Sequence, residues 1–137
     1  MTDFQPDKRG TILSIAGRIS HLHIFCTRQF FNRDSGAMSV LAVNVSSVKA
    51  DCEYDPACIL HAGDHSFIRH DSYVRYKDAV VMKVERIQSA IETQEIKVLD
   101  EVSSEVFLRV MAGFERSRYT KTKIKKLLRE LAREEAQ

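Results

Sequence analysis

The sequence predicts an α+β fold: a small, strongly curved antiparallel sheet with C-terminal helices packed against it. Two observations carry this. Up to about residue 100 the apolar runs are short and rich in β-branched residues, and beyond it their period turns helical. The length sets the scale. A chain of 137 residues suits a single domain that buries roughly two-thirds of its surface without disulfide staples.

Taken in order, residues 1–9 form an N-terminal arm with no apolar stretch, and 10–100 form the mainly β part. The runs 11–15, 21–26, 38–45, 58–60, 73–76 and 80–84 each read as strands. Asn32-Arg-Asp-Ser-Gly36, Asp55-Pro56 and Ala62-Gly63-Asp64 read as turns between them. Phe107, Val110, Met111 and Phe114 then fall at helical spacing behind Ser103, a suitable N-cap, giving a packing helix within 101–116. Ile124, Leu127, Leu128 and Leu131 repeat the pattern after Thr120, so 117–137 reads as a basic amphipathic helix.

Composition excludes several classes. Hydrophobic residues at 44% and charged residues at 29% describe a globular chain, not a disordered one. The longest apolar runs fall far short of the ~20 residues needed to cross a bilayer, so no membrane association is expected. The N-terminus lacks a signal-peptide pattern, and the cytoplasm is the expected compartment. Cys26, Cys52 and Cys58 are odd in number and show no CxxC, which favours reduced thiols over a disulfide framework or zinc ribbon.

Net charge is only +2, yet Arg116, Arg118, Lys121, Lys123, Lys125, Lys126 and Arg129 stand together with no acid among them. Such a run is either a solvated helix face or a contact for nucleic-acid phosphates.

The densest polar cluster is 63–76, with two histidines, two aspartates, two serines, two arginines and two tyrosines. Phe67, Ile68, Tyr73 and Val74 read as its apolar anchors, leaving His65, Arg69, His70, Ser72 and Tyr76 to face a ligand. Histidines titrate near neutrality and can divide acid and base roles, while Arg69 is suited to stabilise a phosphoryl transition state. His21-Leu-His23 places two rings on one side of a strand; with His65 and His70 it would make a four-histidine metal site. Ser46, Ser47 and Lys49 close the 38–45 strand at a polar corner. Neither a Gly-x-Ser-x-Gly elbow nor a glycine-rich phosphate loop occurs.

Gly10-Thr-Ile-Leu13, the strand 21–27, the strand 40–45 ending in Ser46-Ser47, Asp71-Ser-Tyr-Val74 and the helix 103–114 come in an order that resembles the MazF/PemK-like plasmid-maintenance toxins. The resemblance covers about residues 10 to 115 and implies a dimeric SH3-like barrel that cleaves single-stranded RNA without metal or other cofactor. It implies an antitoxin protein as a further partner. The hydroxyl corner of the family falls on Ser46 and Ser47. Its arginine beside a proline is missing where His21 and His23 stand, so histidines and Arg69 take over the acid, base and charge-stabilising roles.

On that reading the catalytic group is His70, His65, Arg69, Ser47 and His23, with His70 the preferred base. RNA is held by Ser46, Lys49, Ser72, Tyr76, Lys121, Lys123, Lys125 and Lys126. Phe25, Phe30, Phe31 and the helix stripes offer apolar surface for a second copy. Two alternatives remain at this level: a non-catalytic module binding nucleic acid or protein through the basic helix, and a metal enzyme built on four histidines.

Overall fold

The computed structural model describes residues 2–15 and 20–137. Its strands are β1 (Thr11–Ser14), β2 (His21–Phe25), β3 (Phe30–Asn32), β4 (Ala37–Ser47), β5 (Ile59–Leu60), β6 (Ser72–Lys83) and β7 (Ile96–Leu99). The helices are α1 (Val84–Glu92), α2 (Ser104–Arg116) and α3 (Thr122–Glu135). All pairings are antiparallel, in the order β5-β6-β4-β2-β1-β7, with β3 on β4 as a hairpin. The sheet curls into a half-barrel, the α+β arrangement that the sequence predicts.

Alternation along β4 builds two cores. Leu41, Val43 and Val45 point to one face, where Leu22, Ile24, Val74 and Tyr76 join Val106, Val110 and Phe114 of α2 and Ile124 of α3. Val40 and Ala42 point to the other, against Ile12, Phe25 and Ile87 of α1, with Phe4 of the N-terminal arm beside them. The arm is therefore docked, and Gln88 Nε2 donates to the Phe4 carbonyl at 2.9 Å.

Helix α1 corrects the sequence reading, which carried a strand to residue 84 and expected no helix before 100. Val84, Ile87 and Ile91 sit at helical spacing among good helix formers, but the β-branched residues ahead of them mask the change of period. The runs 73–76 and 80–84 prove to be one strand, β6. Between Arg75 and Val80 it carries extra residues against β4, since Asn44 pairs with Arg75 but Ala42 pairs with Val80.

Ser103 caps α2 as expected, its hydroxyl accepting from the Val106 amide at 3.1 Å. Thr120 does not cap α3; Lys121 holds that position, and the Thr120 hydroxyl donates to the Phe114 carbonyl at 2.8 Å. Gly36 ends the expected 32–36 turn with φ of 70°, a conformation glycine adopts without a Cβ clash. Among the described residues no helix is long and apolar enough to cross a membrane.

Candidate functional site

The 61–71 loop leads from β5 into β6, and its histidines have separate fates. His65 is buried, with the Phe67 amide donating to Nδ1 at 3.0 Å. The ring proton is thereby placed on Nε2, which donates to the Asp100 carbonyl at 2.7 Å and lies 3.2 Å from Thr11 Oγ1. Nδ1 thus holds the loop's own turn while Nε2 ties the loop to Asp100 and to Thr11 of β1, so both ring nitrogens of His65 are engaged in structure. Arg109 of α2 tethers the same loop through Asp64 at 2.9 Å. Burial alone would raise the Asp64 carboxyl, but Arg109 and the His61 amide together hold it below the usual range.

At the end of the loop His70 is exposed, and its Nε2 lies 2.6 Å from Ser47 Oγ. Asp71 does not complete a triad with this pair, because it engages His61 Nδ1 at 2.8 Å. Arg69 is exposed, with no hydrogen bond or ion pair among the described residues. Ser72 is buried and donates to the His70 carbonyl at 3.0 Å. Tyr76 corrects the expectation of a ligand-facing ring. It is fully buried, packs edge-on to Phe114 and donates to the Val110 carbonyl at 2.6 Å.

His23 lies on the opposite face of the sheet from His65 and Ser47. In register, His23 is paired with Asn44 and Asn44 with Arg75, so three strands present a polar row. The next row toward the strand ends holds Ser46 beside Tyr73, and His21 shares the face two residues before His23. His23 Nδ1 donates to the His21 carbonyl at 3.3 Å, which leaves its lone pair on Nε2. Burial is the main cause holding this imidazole below its ordinary value of 6.5, so it is neutral at neutral pH.

Arg75 is positioned by Asp78, whose carboxylate lies 2.7 Å from Nε. Asn44 Oδ1 is buried without a hydrogen-bond partner among the described residues. An orphaned acceptor of this kind costs about 1–3 kcal/mol, and such costs collect at functional sites.

The candidates therefore separate into three places. His65, Ser72 and Tyr76 are interior; His70 and Ser47 form a pair at the end of β4; His23 and Ser46 belong to the face of Phe25 and Ala42, beyond its small core, termed the outer face. The four-histidine metal cluster is not assembled, because His65 is turned to Asp100 and His23 stands across the sheet. Among the described residues no three His, Cys, Asp or Glu are grouped to hold a metal ion. The three cysteines are free thiols. Lys49, Lys121, Lys123 and Lys126 are exposed and Lys125 half-buried, with α3 turning Ile124 and Leu131 inward.

Sequence reasoning missed His61, Asn44 and Arg75. The last two carry a legible signal, for each interrupts an apolar strand: Asn44 between Val43 and Val45, Arg75 between Val74 and Tyr76. What the sequence withheld is the register that sets them side by side.

Comparison of the chain with family models, curated proteins and solved structures returns no match.

Proposed function

We propose that the protein is a metal-independent endoribonuclease that cleaves single-stranded RNA by 2′-hydroxyl attack, as in the toxins its sequence resembles. The reaction centre is the outer-face row at His23. The observation that carries this reading is the His23 imidazole, neutral and with Nε2 unengaged among the described residues, beside Asn44 and Arg75.

His23 Nε2 takes the proton of the 2′-hydroxyl, whose oxygen attacks the adjacent phosphorus. The bond from phosphorus to the 5′-oxygen breaks, and that oxygen takes a proton from His21 on the same face. The products are a 2′,3′-cyclic phosphate and a 5′-hydroxyl. Arg75, with Nε held by Asp78, keeps its terminal NH groups for the phosphoryl oxygens, and Ser46 adds a hydroxyl donor.

A second reading rests on the short Ser47–His70 pair and makes His70 the base. A non-catalytic module that only binds nucleic acid is the rival from another class. Pairing with a second copy and capture by an antitoxin belong to the toxin reading. Of the three phenylalanines expected to offer surface, Phe25 and Phe30 are buried, which corrects the expectation for them, while Phe31 is 60% exposed, as expected.

The test is mixed-sequence single-stranded RNA incubated with and without EDTA and resolved on a sequencing gel beside His23→Asn and His70→Ala. Discrete cuts with cyclic-phosphate ends that survive EDTA, and fall about a hundredfold or more in His23→Asn, support the reading. Cuts lost only in His70→Ala transfer the base role to His70. Retarded but uncut RNA overturns the nuclease in favour of the binding module.

A further inference from the structure

A groove of about 760 Å³ lies between the 53–57 loop, β6 and the connection from α2 to α3. It presents three tyrosines, Tyr54, Tyr73 and Tyr119, of which Tyr54 is 40% and Tyr119 50% exposed. Large aromatic surface left in water at the lip of a groove is available to a ligand with a π-face. Tyr54 and Tyr73 already stack on each other, with ring centroids 5.4 Å apart and planes tilted by 37°.

Cations surround the rings. Lys77, Arg116 and Arg118 line the groove, are exposed and form no ion pair among the described residues. Glu53 and Asp55 are the acids of the lining. Asp55 is withdrawn into the wall, where its carboxylate accepts from the Ala57 amide at 3.0 Å and from Ser117 Oγ at 2.5 Å. Ser117 Oγ in turn accepts from the Tyr119 amide at 3.0 Å. One buried carboxylate thus ties the loop carrying Tyr54 to the turn carrying Tyr119. Both walls are set before a ligand arrives, which reduces the ordering cost of binding.

We propose that this groove is a binding site for single-stranded RNA, with bases stacked on the tyrosines and phosphates held by Arg116, Arg118 and Lys77. Stacking on aromatic rings beside a cationic track is the physical basis of single-strand binding, and it needs no base-specific hydrogen bonds. The choice of RNA as the strand rests on the proposed nuclease activity. The groove itself meets the reaction face through Tyr73, which is the cross-strand partner of Ser46. Arg75 of the cleavage row also lines the groove, so a strand held at that row is within reach of the tyrosines.

The experiment measures anisotropy of a fluorescent 2′-O-methyl oligonucleotide, which binds but cannot be cleaved, on the intact protein. Tyr119→Ala and Tyr54→Ala each weaken binding about five- to a hundredfold, whereas Tyr119→Phe, which keeps the ring, retains it. Arg118→Gln lowers the slope of log affinity against log salt by about 0.7. Circular dichroism confirms that each variant is folded.

Unchanged affinity in folded Tyr54→Ala and Tyr119→Ala, while His23→Asn still abolishes cleavage, overturns the groove and leaves the nuclease standing. Loss of affinity in these variants of a protein that never cleaves RNA supports the groove and overturns the nuclease. Saturable binding of polyglutamate with no binding of the oligonucleotide overturns the assignment to nucleic acid.

Discussion

Tyr76 and Gly113 are interlocked: the tyrosine hydroxyl occupies the space where a side chain at 113 would begin. A Cβ on Gly113 would collide with that hydroxyl and its ring carbon, while the hydroxyl is committed to the Val110 carbonyl at 2.6 Å. The helix accepts a glycine in its interior because β6 needs the room for its largest buried side chain.

Gly113→Ala is therefore expected to destabilise the fold despite alanine's better helix propensity. Displacing the ring and its hydrogen bond costs about 2–4 kcal/mol. Tyr76→Phe, which removes only the hydroxyl, costs about 1 kcal/mol. Urea midpoints at unchanged slope measure both. A Gly113→Ala variant as stable as the parent would mean that α2 is not seated on Tyr76.

His65 is expected to act on stability alone. His65→Ala removes the acceptor of the Phe67 amide and one of the two donors to the Asp100 carbonyl, Thr11 Oγ1 being the other, and empties the space of a buried ring, at a cost of about 2–4 kcal/mol. Hydrogen exchange at Phe67 should accelerate, and the pH profile of the proposed RNA cleavage should keep its shape. An altered profile in a variant of parental stability would return His65 to the chemistry.

Much of the fold was legible because its signals are local. The helical stripe of Phe107, Val110, Met111 and Phe114 and the turn at 32–36 are properties of adjacent residues. Helix α1 escaped because Val80, Val81 and Val84 read as strand until Ile87 and Ile91 are weighed with the packing of Phe4. The site was less legible. His23 carries half of its meaning in Asn44 and Arg75, which are 21 and 52 residues further along the chain and adjoin it only through two strand registers. The 63–76 cluster attracts notice by composition, yet His65, Ser72 and Tyr76 spend their polar atoms on backbone partners, which no residue count reveals.

Asn44 offers a test of whether the outer face is shaped by function. Its buried Oδ1 has no partner among the described residues, and β4 would hold a valine there with better strand propensity. Asn44→Val is expected to stabilise the fold by about 1 kcal/mol while reducing cleavage at least tenfold. Thermal melts and initial cleavage rates read the two effects separately. A variant that gains stability and keeps full activity would remove Asn44 from the site.

Acidification should destabilise the protein in two windows with separate origins. His23 is held below its ordinary 6.5 chiefly by burial, so the unfolded chain takes up its proton first. The unfolded state then binds more protons than the native one, and stability falls as pH drops from about 6.5 toward the folded value, levelling below it. Asp64 is depressed from its ordinary 3.8, where Arg109 and the His61 amide outweigh burial. Its contribution is complete above 3.8 and is lost as pH falls through the lower folded value. Denaturant titrations across the acid range measure both. His23→Gln should flatten the upper window and leave the lower, and Asp64→Asn should shrink the lower, to which Glu135 beside Lys8 also contributes, and leave the upper. If His23→Gln leaves the upper window unchanged, the imidazole is not the buried neutral base that the proposed cleavage requires.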